Sequence, residues 1–248
     1  MTETPIRDFK DVLDAIDVVY RTFANQPWWR GHGKADWQLV PQVHRMKDRG
    51  KGYETNIAIK FSQRAPTRHP RCPPPGDLAR WLFLMQHYRL PTRLLDWTES
   101  PLIALYFAVD DEDYRQSRGA LWALDPFLMN ELVTGDYGVF QPGHPQAEQL
   151  INLAFSGIPA AHDTVVALLT EEVDLRMMVQ LSGVTIHGSP KPLEELENSD
   201  RFLLKFVLEP EAKDGIRTQL ARFGIRERNL FPDLEHLAAD LKEDVYHQ

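Results

Sequence analysis

The stretch QHYRLPTRLLDWTESPLIALYF, residues 86–107, sets His87, Arg93, Asp96 and Thr98 inside an apolar frame of Leu94, Leu95, Trp97, Leu102, Ile103, Leu105 and Tyr106. A solvated loop would not need that frame, and a buried core admits charged and hydroxyl groups only when they have partners. The stretch therefore belongs to the interior, and something holds its polar groups. Pro91 ends the helix before it, and TRLLDWT has the length and side chains of a short buried strand. Ser100 followed by Pro101 is a helix start, with a hydroxyl at the cap and an imino acid where no amide donor is required. The following LIALYFAV is apolar all round, which predicts a buried helix.

Working outward, Phe9, Val12, Leu13, Ile16, Val19 and Tyr20 recur at helical spacing and predict an amphipathic helix over 7–23. WWRG reads as a short strand ending in a glycine turn, and residues 53–64 are ambiguous. PTRHPRCPPPG, residues 66–76, is a loop, after which Asp77 can cap the helix DLARWLFLMQHY. Strands are predicted at 119–125, 176–181 and 202–208, and helices at 145–155, 163–173, 210–222 and 232–245. Without an internal repeat or a clear linker, the 248 residues read as a single α+β domain.

At 43% hydrophobic and 26% charged, the chain can bury a substantial core. No apolar run approaches the roughly 18–20 residues of a membrane span, and the start MTETPIRDFKDVLD lacks the pattern of a secretion leader, so a cytoplasmic protein with no membrane partner is expected. The single cysteine, Cys72, excludes an internal disulfide and any zinc site built on several thiolates. His69 in HPRC adds only a second ligand candidate, and no metal is expected. The net charge of −8 hides an asymmetry: residues 26–93 carry +9 and the remainder −17. A basic segment in an acidic chain suits a face that meets the phosphates of a dinucleotide or of a nucleic acid, or it pairs with the acidic remainder.

Together with WRG at 29–31 and LFPDLEHLAADL at 230–241, the opening stretch resembles the FRG-domain family, named for an aromatic-Arg-Gly motif near its beginning. The resemblance covers nearly the whole chain, with a core of about 24–241 after the N-terminal helix. Its most specific part is HY, LPTRLLDWT, SP and ALYFA in that order. Two departures are Trp29 as the aromatic and Arg89 where the family commonly has glycine; a non-glycine there makes a left-handed backbone costlier, so the turn is expected to differ. The order of motifs also resembles that of ADP-ribosyltransferases, which place an Arg or His at the end of a first strand, a hydroxyl-bearing segment on a second strand before a helix, and a Glu or Gln on a later strand. Arg30, then Asp96-Trp97-Thr98, then Gln180 in RMMVQLSG stand in that order. The fold this implies is an ADP-ribosyltransferase-like split mixed β-sheet core with flanking helices.

The same resemblance implies NAD as co-substrate, with Arg30, Gln180 and Thr98 as catalytic residues and Arg30, Gly31, His87, Arg93, Asp96, Trp97 and Tyr106 around the dinucleotide. Cleavage at the nicotinamide ribose passes through an oxocarbenium-like state. Arg30 can grip phosphate or ribose oxygens through two parallel hydrogen bonds, and Gly31 lets a ligand approach the backbone. Gln180 would orient the ribose hydroxyls, without the negative charge a Glu would add. His87 and Thr98 would contact nucleotide or acceptor, and Trp97 and Tyr106 could stack on a base.

Structural readings stand beside these. Arg30 could satisfy Asp96, Arg93 and Asp96 could form a buried ion pair, His87 is a core residue or an acid-base group, and the aromatics could be core. RGHGK lacks the spacing of a nucleoside-triphosphate loop, no G-x-S-x-G or H-E-x-x-H occurs, and His144 and His187 receive no role. The function expected is a mono-ADP-ribosyltransferase acting as a bacterial toxin or phage-defence effector. Its acceptor would be RNA, DNA or protein, and a neutralising antitoxin is a candidate partner. The alternative is a non-catalytic nucleic-acid-binding or interaction module.

Overall fold

The structure, a computed structural model, describes residues 4–46, 49–50, 52–158, 161–170 and 182–231. Among the described residues, seven strands form one mixed sheet: β1 (Thr4–Ile6), β2 (Trp28–His32), β3 (Leu94–Thr98), β4 (Gly119–Leu124), β5 (Val165–Leu169), β6 (Ser182–His187) and β7 (Leu203–Leu208). Their order across the sheet is β1-β7-β4-β2-β3-β6-β5, with β1 parallel to β7 and every other neighbouring pair antiparallel. The longer helices are α1 (Phe9–Thr22), α2 (Tyr53–Arg64), α3 (Leu78–His87), α4 (Pro101–Val109), α5 (Pro126–Thr134), α6 (Pro145–Ser156) and α7 (Pro210–Arg222).

The local chemistry explains most boundaries. Asp8, Asp77 and Ser100 accept hydrogen bonds from Asp11, Arg80 and Ile103 amides and so cap α1, α3 and α4. Helix α3 ends before Pro91 is reached. The Leu90 amide bonds the Met85 carbonyl and the Arg89 amide the Gln86 carbonyl, a Schellman closure with Arg89 itself left-handed at φ 59°. The turn expected to differ therefore keeps its form, and the arginine bears the backbone cost.

One face of the sheet buries Trp29, Leu121 and Phe206 under α1, α4 and α7, and further along buries Leu94, Val166 and Ile186 under α3 and α6. The opposite face buries Trp28, Leu95, Trp97 and Trp122, with Met129 of α5 and Phe202. Gly31 lies within β2, and a Cβ there would stand 1.8 Å from the Ala104 carbonyl oxygen of α4. WWRG thus continues as strand through His32 where a glycine turn was expected, because the glycine serves contact between helix and sheet.

One segment contradicts the sequence reading. Residues 163–173 were expected as helix, yet Val165–Leu169 is β5, paired along its length with β6. Its short apolar run, VVALL, is compatible with either state, and burial within the sheet decides for strand. The ambiguous segment 53–64 is helix α2, while β1, β6 and α5 had no sequence assignment. The expected elements at 176–181 and 232–245 lie outside the described residues.

Candidate functional site

Strand β2 is paired with β4 from Trp28↔Leu124 to His32↔Ala120, but with β3 only at Trp29↔Thr98. Beyond that point the sheet opens. A cavity of about 360 Å³ occupies the opening, lined on one side by α3 and α4 and on the other by Arg30, His32 and Trp37. Its size falls in the lower part of the about 300–1,000 Å³ range of small-molecule sites.

Arg30 crosses the opening. Its Nη1 donates to the Asp96 carbonyl oxygen at 2.5 Å, occupying an acceptor that continued strand pairing would otherwise use, and its Nε donates to His32 Nε2 at 3.0 Å. His32 Nδ1 lies 3.2 Å from the Trp37 carbonyl, which can only accept, so Nδ1 carries the proton and Nε2 is free to receive Arg30. Burial, reinforced by the Arg30 charge, pushes His32 down to about 3, so the imidazole is neutral across the physiological range. Burial also pushes the Arg30 guanidinium down to about 10, opposed by Asp96 and assisted by Arg45. Arg45, also on the cavity wall, is held by a bond from Nε to the Val40 carbonyl at 2.7 Å. Among the described residues, neither guanidinium is hydrogen-bonded to a carboxylate.

The expected site residues divide into three groups. Arg30, Gly31, His87, Asp96, Trp97 and Thr98 all border the cavity. Arg93 and Tyr106 do not: Arg93 is buried against Glu54, with Nη2 2.5 Å from Oε2 and Nε 3.1 Å from Oε1, and Tyr106 belongs to the core beneath α4. Gln180 lies outside the described residues; Ser182, two residues on, pairs with Thr98. The expected Arg93–Asp96 ion pair is corrected, because residues three apart on an extended chain face opposite sides of the sheet. Asp96 instead receives Gln86 Nε2 at 2.8 Å on its carboxylate, and Arg30 takes only its backbone oxygen. Gly31 borders the cavity, but α4 occupies the space its missing Cβ leaves.

Local bonding also qualifies Thr98 and Trp97. The Thr98 hydroxyl accepts the Ser100 amide at 3.1 Å and so shapes the turn into α4. Trp97 Nε1 donates to Thr185 Oγ1 at 3.1 Å, which in turn lies 3.0 Å from His187 Nε2. That chain fixes the indole on the far face of β3, and burial holds His187 well below its ordinary pKa. His69 and Cys72, the two ligand candidates, meet differently: the thiol donates to the His69 carbonyl, and no group of three potential ligands occurs among the described residues.

Four contributors were missed in the sequence. His32 carries the tautomer that receives Arg30, Trp37 sets that tautomer, and Arg45 adds the second charge. Lys213 of α7 is buried at 1% exposure, and its Nζ donates to the Gly33 and Tyr114 carbonyls at 2.8 Å each. Tyr114 packs edge-on against Trp37, ring centres 4.8 Å apart, so Lys213 pins the loop that orients His32 and Arg30. RGHGK held His32 in plain view beside the motif; Lys213, 183 residues after Arg30, had no signal in the sequence.

No helix among the described residues is long and apolar enough to cross a membrane. No curated protein and no solved structure matches the chain significantly. Residues 25–117, which hold β2, the α2–α3 unit, β3 and α4, match the family model of the FRG domain, so this part of the chain is similar to that family.

Proposed function

We propose that the opening between β2 and β3 is the site of an NAD-dependent mono-ADP-ribosyltransferase. The observation that carries this reading is the Arg30 guanidinium, drawn in beside Arg45 at a cavity wall with no carboxylate bonded to either among the described residues. Arg30 is half-buried, and a cation drawn this far from water is ordinarily paired, so this arrangement suits an anion brought by a ligand. A diphosphate suits two guanidiniums on one cavity wall, and Phe83, Phe107 and Trp37 offer flat apolar surface to rings.

When bound, NAD supplies an ADP-ribosyl group on a nicotinamide leaving group. The bond from ribose C1′ to the ring nitrogen breaks with its electron pair passing to nicotinamide; an acceptor oxygen or nitrogen bonds C1′ and releases its proton. Arg30, positioned by His32 and the Asp96 carbonyl, grips the phosphates, and Arg45 adds charge. His87, half-buried where α3 meets the cavity, is the imidazole assigned to take the acceptor proton. Thr98 stands at the start of α4 against the same space, and Gln180 is the proposed ligand of the ribose hydroxyls. With this activity we propose a toxin or phage-defence role and a neutralising partner.

One observation favours a non-catalytic reading: the Asp96 carboxylate is engaged by Gln86, and Asp111 caps the Asp113 amide, so the described carboxylates at the cavity have other work. Nicotinamide release by the purified chain separates the two, with RNA, DNA and protein offered as acceptors. Turnover lost in Arg30→Ala, in a variant that keeps its fold, supports the transferase. Tight ADP-ribose binding without turnover supports the binding module, and neither property in a folded protein removes the site.

A further inference from the structure

The basic segment of the chain gathers beside the cavity around one exposed aromatic. Tyr88, 49% exposed, follows α3, with its ring centre 6.3 Å from Phe61, 5.9 Å from His69 and 5.0 Å from His87. Its hydroxyl meets His69 Nδ1 at 3.3 Å, which holds the ring upright. His87 borders the cavity, so this ring is one residue from the proposed site. Around it stand exposed cations: Lys60 and Arg64 flank Phe61 on α2, Arg68 donates to the Arg64 carbonyl at 2.9 Å, and Arg89 follows Tyr88.

Among the described residues, few acidic groups stand against this charge. Between Arg49 and Arg93 the acids are Glu54, buried against Arg93, and Asp77, beside Arg80. Helix α6, which packs against α2 and α3, brings Glu148. Among the described residues, Lys60, Arg64, Arg68 and Arg89 form no ion pair.

We infer that this face docks single-stranded nucleic acid, with an unpaired base against Tyr88 and phosphates on the surrounding arginines. An aromatic set among cations is the arrangement that binds single strands with little sequence preference, because every base has a flat face and every nucleotide a phosphate. A duplex keeps its bases stacked internally and gains nothing from Tyr88. That the docked strand is also the acceptor rests on the transferase reading; the docking does not.

The test is fluorescence anisotropy of the full chain with a labelled 20-nucleotide RNA and DNA of mixed sequence, each single-stranded and duplex, at two or more salt concentrations. Single strands are expected to bind better than duplexes, with affinity falling as salt rises at a log–log slope of about −3 for four neutralised phosphates. Tyr88→Ala is expected to weaken single-strand binding about 10-fold and leave duplex binding unchanged. Arg64→Glu with Arg68→Glu is expected to abolish binding at physiological salt, with circular dichroism verifying the fold. Equal affinity for duplex, or full affinity in folded Tyr88→Ala, overturns the inference. Binding without nicotinamide release leaves docking intact and removes the transferase; release with protein acceptors and no oligonucleotide binding does the reverse.

Discussion

Arg93, just before β3, and Arg30 of β2 are both drawn from one basic segment, and the protein treats them in opposite ways. Arg93 enters the core with a bidentate partner, Glu54 of α2, at the flank where β3 is fully laddered to β6. Arg30 enters where β3 and β2 separate, and it meets a neutral imidazole and a backbone carbonyl. The contrast teaches where to look for function in a fold of this kind. A paired buried charge specifies packing, whereas one that, among the described residues, bonds no carboxylate at a break in the sheet is available to a ligand.

The largest effect expected from breaking this contrast is on the paired side. Glu54→Ala leaves the Arg93 guanidinium buried at 6% exposure with no counter-charge, which should cost about 3–5 kcal/mol. Urea unfolding monitored by tryptophan fluorescence measures it, and a cost near that of an exposed pair would refute the structural role. Nicotinamide release in the surviving folded fraction should persist, because Glu54 does not border the cavity.

The next effect lies in pH. The unfolded chain takes up a proton at His32 near pH 6.5, and the folded one refuses it until about 3, so stability falls as pH drops below 6.5. Each pH unit within that window removes up to about 1.4 kcal/mol per such group. Burial lowers His44 and His187 as well, and both add to the same slope. His32→Gln should flatten the dependence between pH 6 and 4.5 by about one proton's worth. An unchanged slope would mean that His32 does not stay neutral in the fold.

Arg30→Met should be milder for folding and decisive for ligand binding. It frees the Asp96 carbonyl and His32 Nε2 without stranding a charge, for an expected cost of about 1–2 kcal/mol. Loss of ADP-ribose affinity, read by calorimetry, should accompany it. If stability fell as far as in Glu54→Ala, the two arginines would be alike and the contrast would fail.

Much of this architecture was legible because its signals are local. Ser100-Pro101 and Asp77 announce helices through the chemistry of a single turn, and TRLLDWT announces a strand by length and composition. Arg30, Asp96 and Thr98 were found through motif order, and they do share a cavity. The Glu54 partner of Arg93 was not legible, because it sits 39 residues away on a helix the periodicity left ambiguous. Strand β6 was hidden for a related reason: Thr185 and His187, polar yet buried, interrupt the apolar run that marks an interior strand, and Thr185 bonds both His187 Nε2 and Trp97. Lys213 shows the limit most clearly, since its ammonium caps two carbonyls brought together only by the tertiary fold.

Arg89 supplies the smallest effect and the sharpest use of the contrast. Its backbone sits at φ 59° in a helix closure that glycine fills without strain, so something other than folding recommends a cation there. Arg89→Gly should relieve the left-handed cost and raise stability by about 0.5–1 kcal/mol, a shift of a few degrees in Tm. The same substitution removes one of the cations around Tyr88 and should lower single-strand affinity several-fold while reducing the salt slope by about 0.7. A variant more stable than the native chain and weaker for oligonucleotide would show that the arginine is kept for binding at the expense of the turn. Higher stability with unchanged affinity would remove Arg89 from the docking face and leave its strained backbone without a functional reason.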